Sequence, residues 1–206
     1  MSNNKGKLII LSAPSGTGKS SLIKEIISNS SGDIQLSVSA TTRLPRDGEV
    51  HGKDYFFISV KEFDELKENN SFTEHANVHG HYYGTLKSFV DEKIENGISM
   101  ILDIDVQGFD QIKDSIQNSI SIFIIPPSID ELKNRLISRG LDLDEVIEKR
   151  LINAKKELKY AELYDHIVLN DEFDKALKEI NSIIFGMSHY DNNEINANLL
   201  LSLIHI

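Results

Sequence analysis

The sequence predicts an α/β protein with a central parallel sheet flanked by helices in three layers, and three observations carry that prediction. Short β-type runs alternate with amphipathic helical stretches, the pattern of strand, crossover and parallel strand. The first run, LIILS at 8–12, stops at a Gly-rich loop ending in Lys-Ser, APSGTGKS at 13–20, and a helical pattern follows at once. One segment, 41–84, interrupts the alternation and is polar, aromatic and rich in turn residues.

Strands are expected at 7–12, 36–40, 98–104, 119–125 and 166–169, and helices at 19–29, 86–95, 129–139, 144–164 and 173–187. In the first helix Leu22, Ile23, Ile26 and Ile27 recur at helical spacing, so one face lies on the sheet. The third strand, SMILDID, closes on Asp103 and Asp105, which alternation along a strand puts on one face. The interrupting segment has short runs at 55–58 and 72–78 and reads as a small mixed α+β insertion, the usual place for a second substrate's site. Near Gly140, which can end a helix and act as a hinge, the charged stretch 135–155 is expected to form a helical lid.

Composition bounds the function classes. With 206 residues, 40% hydrophobic and 26% charged, the chain can bury one good core with inserted subdomains. No run approaches the ~18 apolar residues of a membrane span, and the start, MSNNKGK, lacks the apolar core of a secretion signal. The absence of cysteine excludes disulfides and thiolate metal sites and points to the cytoplasm. A net charge of −10 argues against nonspecific nucleic-acid binding. The expected partners are small molecules, without nucleic acid or membrane; a homo-oligomer is compatible with all of this.

The loop at 13–20 is built to hold phosphates. A buried strand feeding such a loop and then a helix turns backbone N–H groups inward, adds the partly positive helix N-terminus, and supplies full charge on a lysine. Ala13, Pro14, Ser15, Gly16, Thr17, Gly18, Lys19 and Ser20 are the candidate residues, with Ser20 a hydroxyl ligand for Mg²⁺. The P-loop pattern G-x-x-x-x-G-K-[ST] asks for glycine where Ala13 stands, which gives up some backbone freedom.

Four further stretches lie behind this loop: SVSATTRLPRDGEVHGKDYFF (37–57), FTEHANVHGHYYGT (72–85), ILDIDVQG (101–108) and IFIIPPS (122–128). Five motifs in this order resemble the guanylate kinase family. The resemblance spans 5–185, with a core of 5–40 and 86–185, a GMP-binding insertion at 41–85 and the lid; Ala at position 13 is common in the family's bacterial members. It implies ATP-dependent phosphorylation of GMP, and of dGMP, with Mg²⁺, in purine nucleotide metabolism and GMP recycling.

On that resemblance each residue takes a role. Arg43 and Arg46 suit a clamp on the GMP phosphate, because guanidinium forks bind phosphate oxygens bidentately, and Tyr55 and Tyr83 add hydroxyl donors. Glu74 is the acceptor for the guanine N1–H and amine, with Ser39 and Thr85 as hydroxyl partners. Asp103 acts on the acceptor or, through water, on Mg²⁺; Asp105 stands beside it, and both would also serve as helix caps or solvated acids. Lys19, with Arg135 and Arg139 of RLISRG and Arg150 of KR, brings cations to the transferring group. Asn170 resembles the family's residue near adenine.

Alternatives stay open at this point. A non-catalytic guanylate-kinase-like binding module, or a P-loop kinase for another small phosphate ester, shares much of the pattern. His75, His79 and His81 share strand parity, which makes a metal site imaginable, but the region already has a purine-binding reading. After Met187 the chain turns polar and ends in LLLSLIHI; this tail, 188–206, has no counterpart in the family pattern and reads as a helix docked on a neighbour, as disordered, or as sequence foreign to the domain.

Overall fold

The computed structural model describes residues 5–78, 80–113, 119–140, 143–186 and 193–204. In chain order the elements are β1 (Leu8–Ser12), α1 (Lys19–Asn29), β2 (Ile34–Leu36), β3 (Ser39–Thr41), β4 (Phe56–Phe57), α2 (Val60–Glu68), β5 (Phe72–Val78), β6 (His81–Leu86), α3 (Lys87–Glu95), β7 (Ser99–Asp103), α4 (Val106–Ile112), β8 (Ser119–Ile125), α5 (Ile129–Ser138), α6 (Asp144–Leu158), a 3-10 turn (Ala161–Leu163), β9 (His166–Leu169), α7 (Phe173–Phe185) and α8 (Asn193–Ile204). A five-stranded sheet runs in the order β2-β7-β1-β8-β9, and a four-stranded sheet in the order β4-β3-β6-β5. The β2–β7 and β8–β9 registers are parallel. All of β1 and residues 121–125 of β8 are buried, as expected of interior parallel strands, which read as unbroken apolar runs.

The chain forms two compact units, one holding residues up to Leu8 and Gly32–Ser119, the other Ile9–Ser31 and everything from Ile120 onward. In the first, the mixed sheet is closed by α2, whose Phe63 is fully buried and stacks on Phe72 and Tyr82 at centroid distances of 4.5 and 5.3 Å. That helix starts in a capping box: the Ser59 hydroxyl accepts from the Glu62 N–H, and the Glu62 carboxylate accepts from the Ser59 N–H at 2.8 Å. In the second unit, Leu22, Ile23 and Ile26 are the buried positions of α1, as the helical spacing predicts. There Asn196 of α8 donates to the Ile167 carbonyl of β9 at 2.7 Å and to Glu179 of α7 at 3.1 Å, so the described part of the tail is helical.

Three elements differ from expectation. The strand expected at 36–40 is two strands: Ser37 N–H still bonds the Ile101 carbonyl beside β2, whereas Ser39–Thr41 pairs antiparallel with β6 in the other sheet. The helix expected through 164 stops at Leu158. Its continuation is outcompeted by tertiary bonds, since the Asp165 carboxylate accepts from the Ser121 N–H and hydroxyl at 2.9 and 2.7 Å while Ala161 and Tyr164 bury. Helix α7 ends at Phe185, with Gly186 in the left-handed region at φ 67°; Met187 and residues 188–192 lie outside the described residues. Among the described residues no helix is long and apolar enough to cross a membrane.

Phe63 is the plug of the mixed sheet, so Phe63→Ala is expected to cost about 3–5 kcal/mol of stability. Denaturant unfolding followed by circular dichroism measures this; a loss below ~1 kcal/mol would show that the sheet does not depend on it.

Candidate active site

Within the unit formed by Ile9–Ser31 and the later residues, the loop after β1 turns tightly at two left-handed glycines, Gly16 at φ 97° and Gly18 at φ 99°, before α1 begins at Lys19. Ala13 does not have a positive φ, so the glycine of the general pattern is not required there. Thr17 folds back on the loop, its N–H and hydroxyl both donating to the Pro14 carbonyl at 3.2 and 2.7 Å. Its own carbonyl accepts from the Asn170 amide at 2.7 Å and from Arg135 Nη1 at 3.4 Å. A Cβ at position 18 would sit 2.5 Å from the same Asn170 nitrogen, so glycine there serves this contact as well as the turn.

The three arginines of the expected lid are placed unequally. Arg135 of α5 is braced: its Nε donates to Glu131 at 2.8 Å and its Nη1 to the Asn170 carbonyl at 3.0 Å. Arg150 of α6 donates to the Ser15 hydroxyl at 3.0 Å. Arg139 caps the C-terminus of α5 and is exposed, and Gly140 follows with φ 61°. Leu141 and Asp142, part of the expected lid, lie outside the described residues. Lys19 is half-buried and Ser20 exposed at the helix start.

Within the other unit a cavity of about 330 Å³ is lined by Ser39, Tyr55, Glu74, Tyr83, Asp103 and Asp105, among others. Glu74, on β5, is only 6% exposed. Its Oε1 accepts from the hydroxyl of Thr85, the residue opposite it on β6, at 2.6 Å. Burial raises the Glu74 carboxyl above its ordinary value; the Thr85 hydroxyl opposes this, and the charge of Asp105 adds to it. Tyr55 and Tyr83 meet edge to face at 5.9 Å, and burial keeps the Tyr55 phenol above its usual range, hence protonated and able to donate.

Arg43 stands over the Tyr55 ring at 5.3 Å and forks onto Glu49, with Nη1–Oε2 at 3.0 Å and Nη2–Oε1 at 2.8 Å. The same carboxylate accepts from the Arg46 N–H at 2.7 Å, while the Arg46 side chain is exposed. Reasoning from sequence missed Glu49, although an acid three residues beyond one arginine and six beyond another was the available signal. Asp105 lies beyond the end of β7 and is the N-cap of α4, its Oδ1 accepting from Gly108 N–H at 2.8 Å, so strand alternation does not relate it to Asp103.

Ser20 in the one unit offers a hydroxyl and Asp103 in the other a carboxylate, each by itself a hard oxygen donor of the kind Mg²⁺ takes. His75 and His81 sit on different strands of the β5–β6 hairpin, so the shared-parity argument fails for that pair; His79 lies outside the described residues. Among the described residues no group of three or more His, Cys, Asp or Glu could hold a metal ion.

Because the folded protein holds the Glu74 proton more tightly than the unfolded chain, ionised Glu74 costs stability at neutral pH and above, a cost that fades as pH falls to the ordinary carboxylate value. Glu74→Gln is therefore expected to melt higher than the parent at pH 8, by about 2–4 °C for each kcal/mol recovered, with the gap closing toward pH 4. A gap independent of pH would contradict this origin.

The family model described as Guanylate kinase matches residues 5–187. A guanylate kinase of Shewanella sp. (strain MR-7) is 48% identical over 193 residues, covering 94% of this chain and 93% of that protein. One from Clostridium tetani (strain Massachusetts / E88) is 47% identical over 180 residues, covering 87% and 86%. The crystal structure of guanylate kinase from Anaplasma phagocytophilum superposes with a TM-score of 0.69 at 30% identity, over 97% of this chain and 95% of that one. Agreement in sequence and fold over most of the chain makes this chain an enzyme of the guanylate kinase family.

Proposed function

We propose that this chain transfers the γ-phosphoryl group of ATP to GMP, yielding ADP and GDP, with Mg²⁺ assisting. The observation that carries the choice of acceptor is Glu74, a carboxylate held by Thr85 in the wall of a cavity. Guanine presents two adjacent donors, N1–H and the exocyclic amine, and a carboxylate accepts both. Each carboxylate oxygen has two lone pairs, so the Thr85 bond leaves capacity for the base. Adenine presents no N–H at position 1 and would leave the buried acceptor unmet. dGMP lacks only the 2′-hydroxyl, to which this reading assigns no residue, and is accepted at the same site.

The attacking group is a phosphate oxygen already anionic near neutral pH, so the reaction needs no strong general base; positioning and charge neutralisation dominate. Tyr55, Tyr83, Arg43 and Arg46 hold the acceptor phosphate, and for Arg43 this exchanges or shares its fork with Glu49. Ser39 and Thr85 assist at the base. Residues 13–20 hold the donor phosphates through backbone N–H groups and the Lys19 ammonium, and Arg139 and Arg150 add cations from the lid at 135–155. Arg135 does so from its place behind the loop, and Asn170 adjoins the adenine. When bound, Mg²⁺ neutralises the donor phosphates, with Ser20 and, through water, Asp103 as its protein ligands. Residues 5–185 form the catalytic domain, 41–85 its acceptor insertion, and the reaction belongs to GMP recycling in purine nucleotide metabolism.

Coupled ADP release with GMP, AMP, dTMP and UMP as acceptors tests this. GMP is expected to exceed the others in kcat/KM by at least ~100-fold, and no preference for GMP would overturn the reading. Lys19→Ala is expected to lower kcat at least ~100-fold, since charge at the transferring phosphoryl group is worth several kcal/mol; turnover within a few-fold of the parent would refute the cradle.

A further inference from the structure

Helix α4 touches the base-reading carboxylate at a point where a side chain is missing. A Cβ built on Gly108 would lie 2.8 Å from Glu74 Oε2 and 3.3 Å from Ile104 Cβ. Gly108 is buried inside the helix and is not among the positive-φ glycines, so its backbone does not demand glycine. In a helix interior, alanine is favoured over glycine. What excludes it is the space that Glu74 occupies. Oε1 is already fixed by Thr85 at 2.6 Å, so the carboxylate is held between a hydroxyl on one side and a bare helix backbone on the other.

A second contact from the same helix points the same way. The Gln111 side-chain amide accepts from the His75 N–H at 3.1 Å and donates to the His75 carbonyl at 2.6 Å, bridging both polar backbone groups of the residue after Glu74. The β5–β6 register shifts between Phe72 and Glu74, where the ladder alone does not fix the strand. Asp105, which caps α4 through the Gly108 N–H, ties the helix start to the end of β7.

We propose that Gly108 and Gln111 are positioning residues for guanine selection: Gly108 leaves the clearance in which the Glu74 carboxylate stands, and Gln111 clamps the backbone beside it. This rests on the reading of Glu74 as the guanine acceptor. The nearest atom is the end of a flexible side chain and the Ile104 Cβ contact at 3.3 Å needs only a few tenths of an ångström, so a methyl at 108 displaces Glu74 first. The consequence is a protein of near-parental stability that reads its base poorly.

The test measures steady-state kinetics with GMP and AMP, and with ATP varied, for the parent, Glu74→Gln, Gly108→Ala, Gln111→Leu and Asp110→Ala, an exposed α4 control. Gly108→Ala is expected to raise the KM for GMP at least ~10-fold and to narrow the GMP:AMP ratio, with the KM for ATP within about two-fold and the melting temperature within ~3 °C of the parent. Gln111→Leu moves in the same direction by a smaller factor, and decides the matter if Gly108→Ala does not fold. Asp110→Ala stays at the parental values. A parental GMP:AMP ratio in both Gly108→Ala and Gln111→Leu overturns this inference alone when Glu74→Gln has lost the preference. If the parent shows no preference, or Glu74→Gln keeps it, the underlying reading falls and this inference with it.

Discussion

A carboxylate taken out of water is the constraint around which the cavity beside the mixed sheet is organised. Glu74 is nearly inaccessible, and its proton affinity is raised by that burial. A buried ionisable group without partners is costly, so its neighbours must satisfy it without blocking it. Thr85 supplies one strong hydrogen bond from across the hairpin, and Gly108 supplies space by having no side chain. The mixed sheet and its Phe63 plug fix the two strands that bring Glu74 and Thr85 opposite each other. On the proposed reading, selectivity for a base with two adjacent donors rests on the acceptor capacity that the Thr85 bonds leave on this carboxylate.

The phosphate loop follows a different logic, in which backbone rather than side chains carries the geometry. Two left-handed glycines set its turns, and the Thr17 carbonyl is tied from behind by Asn170 and Arg135. Binding phosphate in such a loop requires that N–H groups be oriented before the ligand comes, because reorganisation at the moment of transfer would consume the electrostatic benefit. Arg135, expected from sequence as a cation over the transferring group, is here a brace of that loop, with its Nε occupied by Glu131. A guanidinium with five donors can do both.

The architecture was legible in the sequence wherever periodicity was strong. LIILS and SISIFII are continuous apolar runs, and the first helix spells its buried face, so β1, β8 and α1 fall where the pattern puts them. The insertion was less legible because its elements are short and set by tertiary pairing. Strand β6, HYYGTL, has a glycine in its middle; beyond the insertion, helix α4, VQGFDQI, has one too, which weakens a helical reading. Helix α2 did announce itself through Ser59 and Glu62, a capping-box spacing that the reading passed over. The site residues were legible as chemical types, and Ser39, Tyr55, Glu74, Tyr83 and Asp103 do line one cavity. What no pattern could show is close approach across the fold: that a Cβ at Gly108 would meet the Glu74 carboxylate.

The central claim is that the Glu74 carboxylate accepts from both donors of guanine. Inosine monophosphate keeps the N1–H of GMP and lacks only the exocyclic amine, so comparing the two isolates one of these bonds. Calorimetric titration of GMP and inosine monophosphate into the parent and into Glu74→Gln measures it most directly. The account predicts that the parent binds GMP ~10–100-fold more tightly, the worth of one hydrogen bond to a charged group, and that Glu74→Gln loses most of that difference. Equal binding of the two nucleotides by the parent, or a difference that survives in Glu74→Gln, would contradict it.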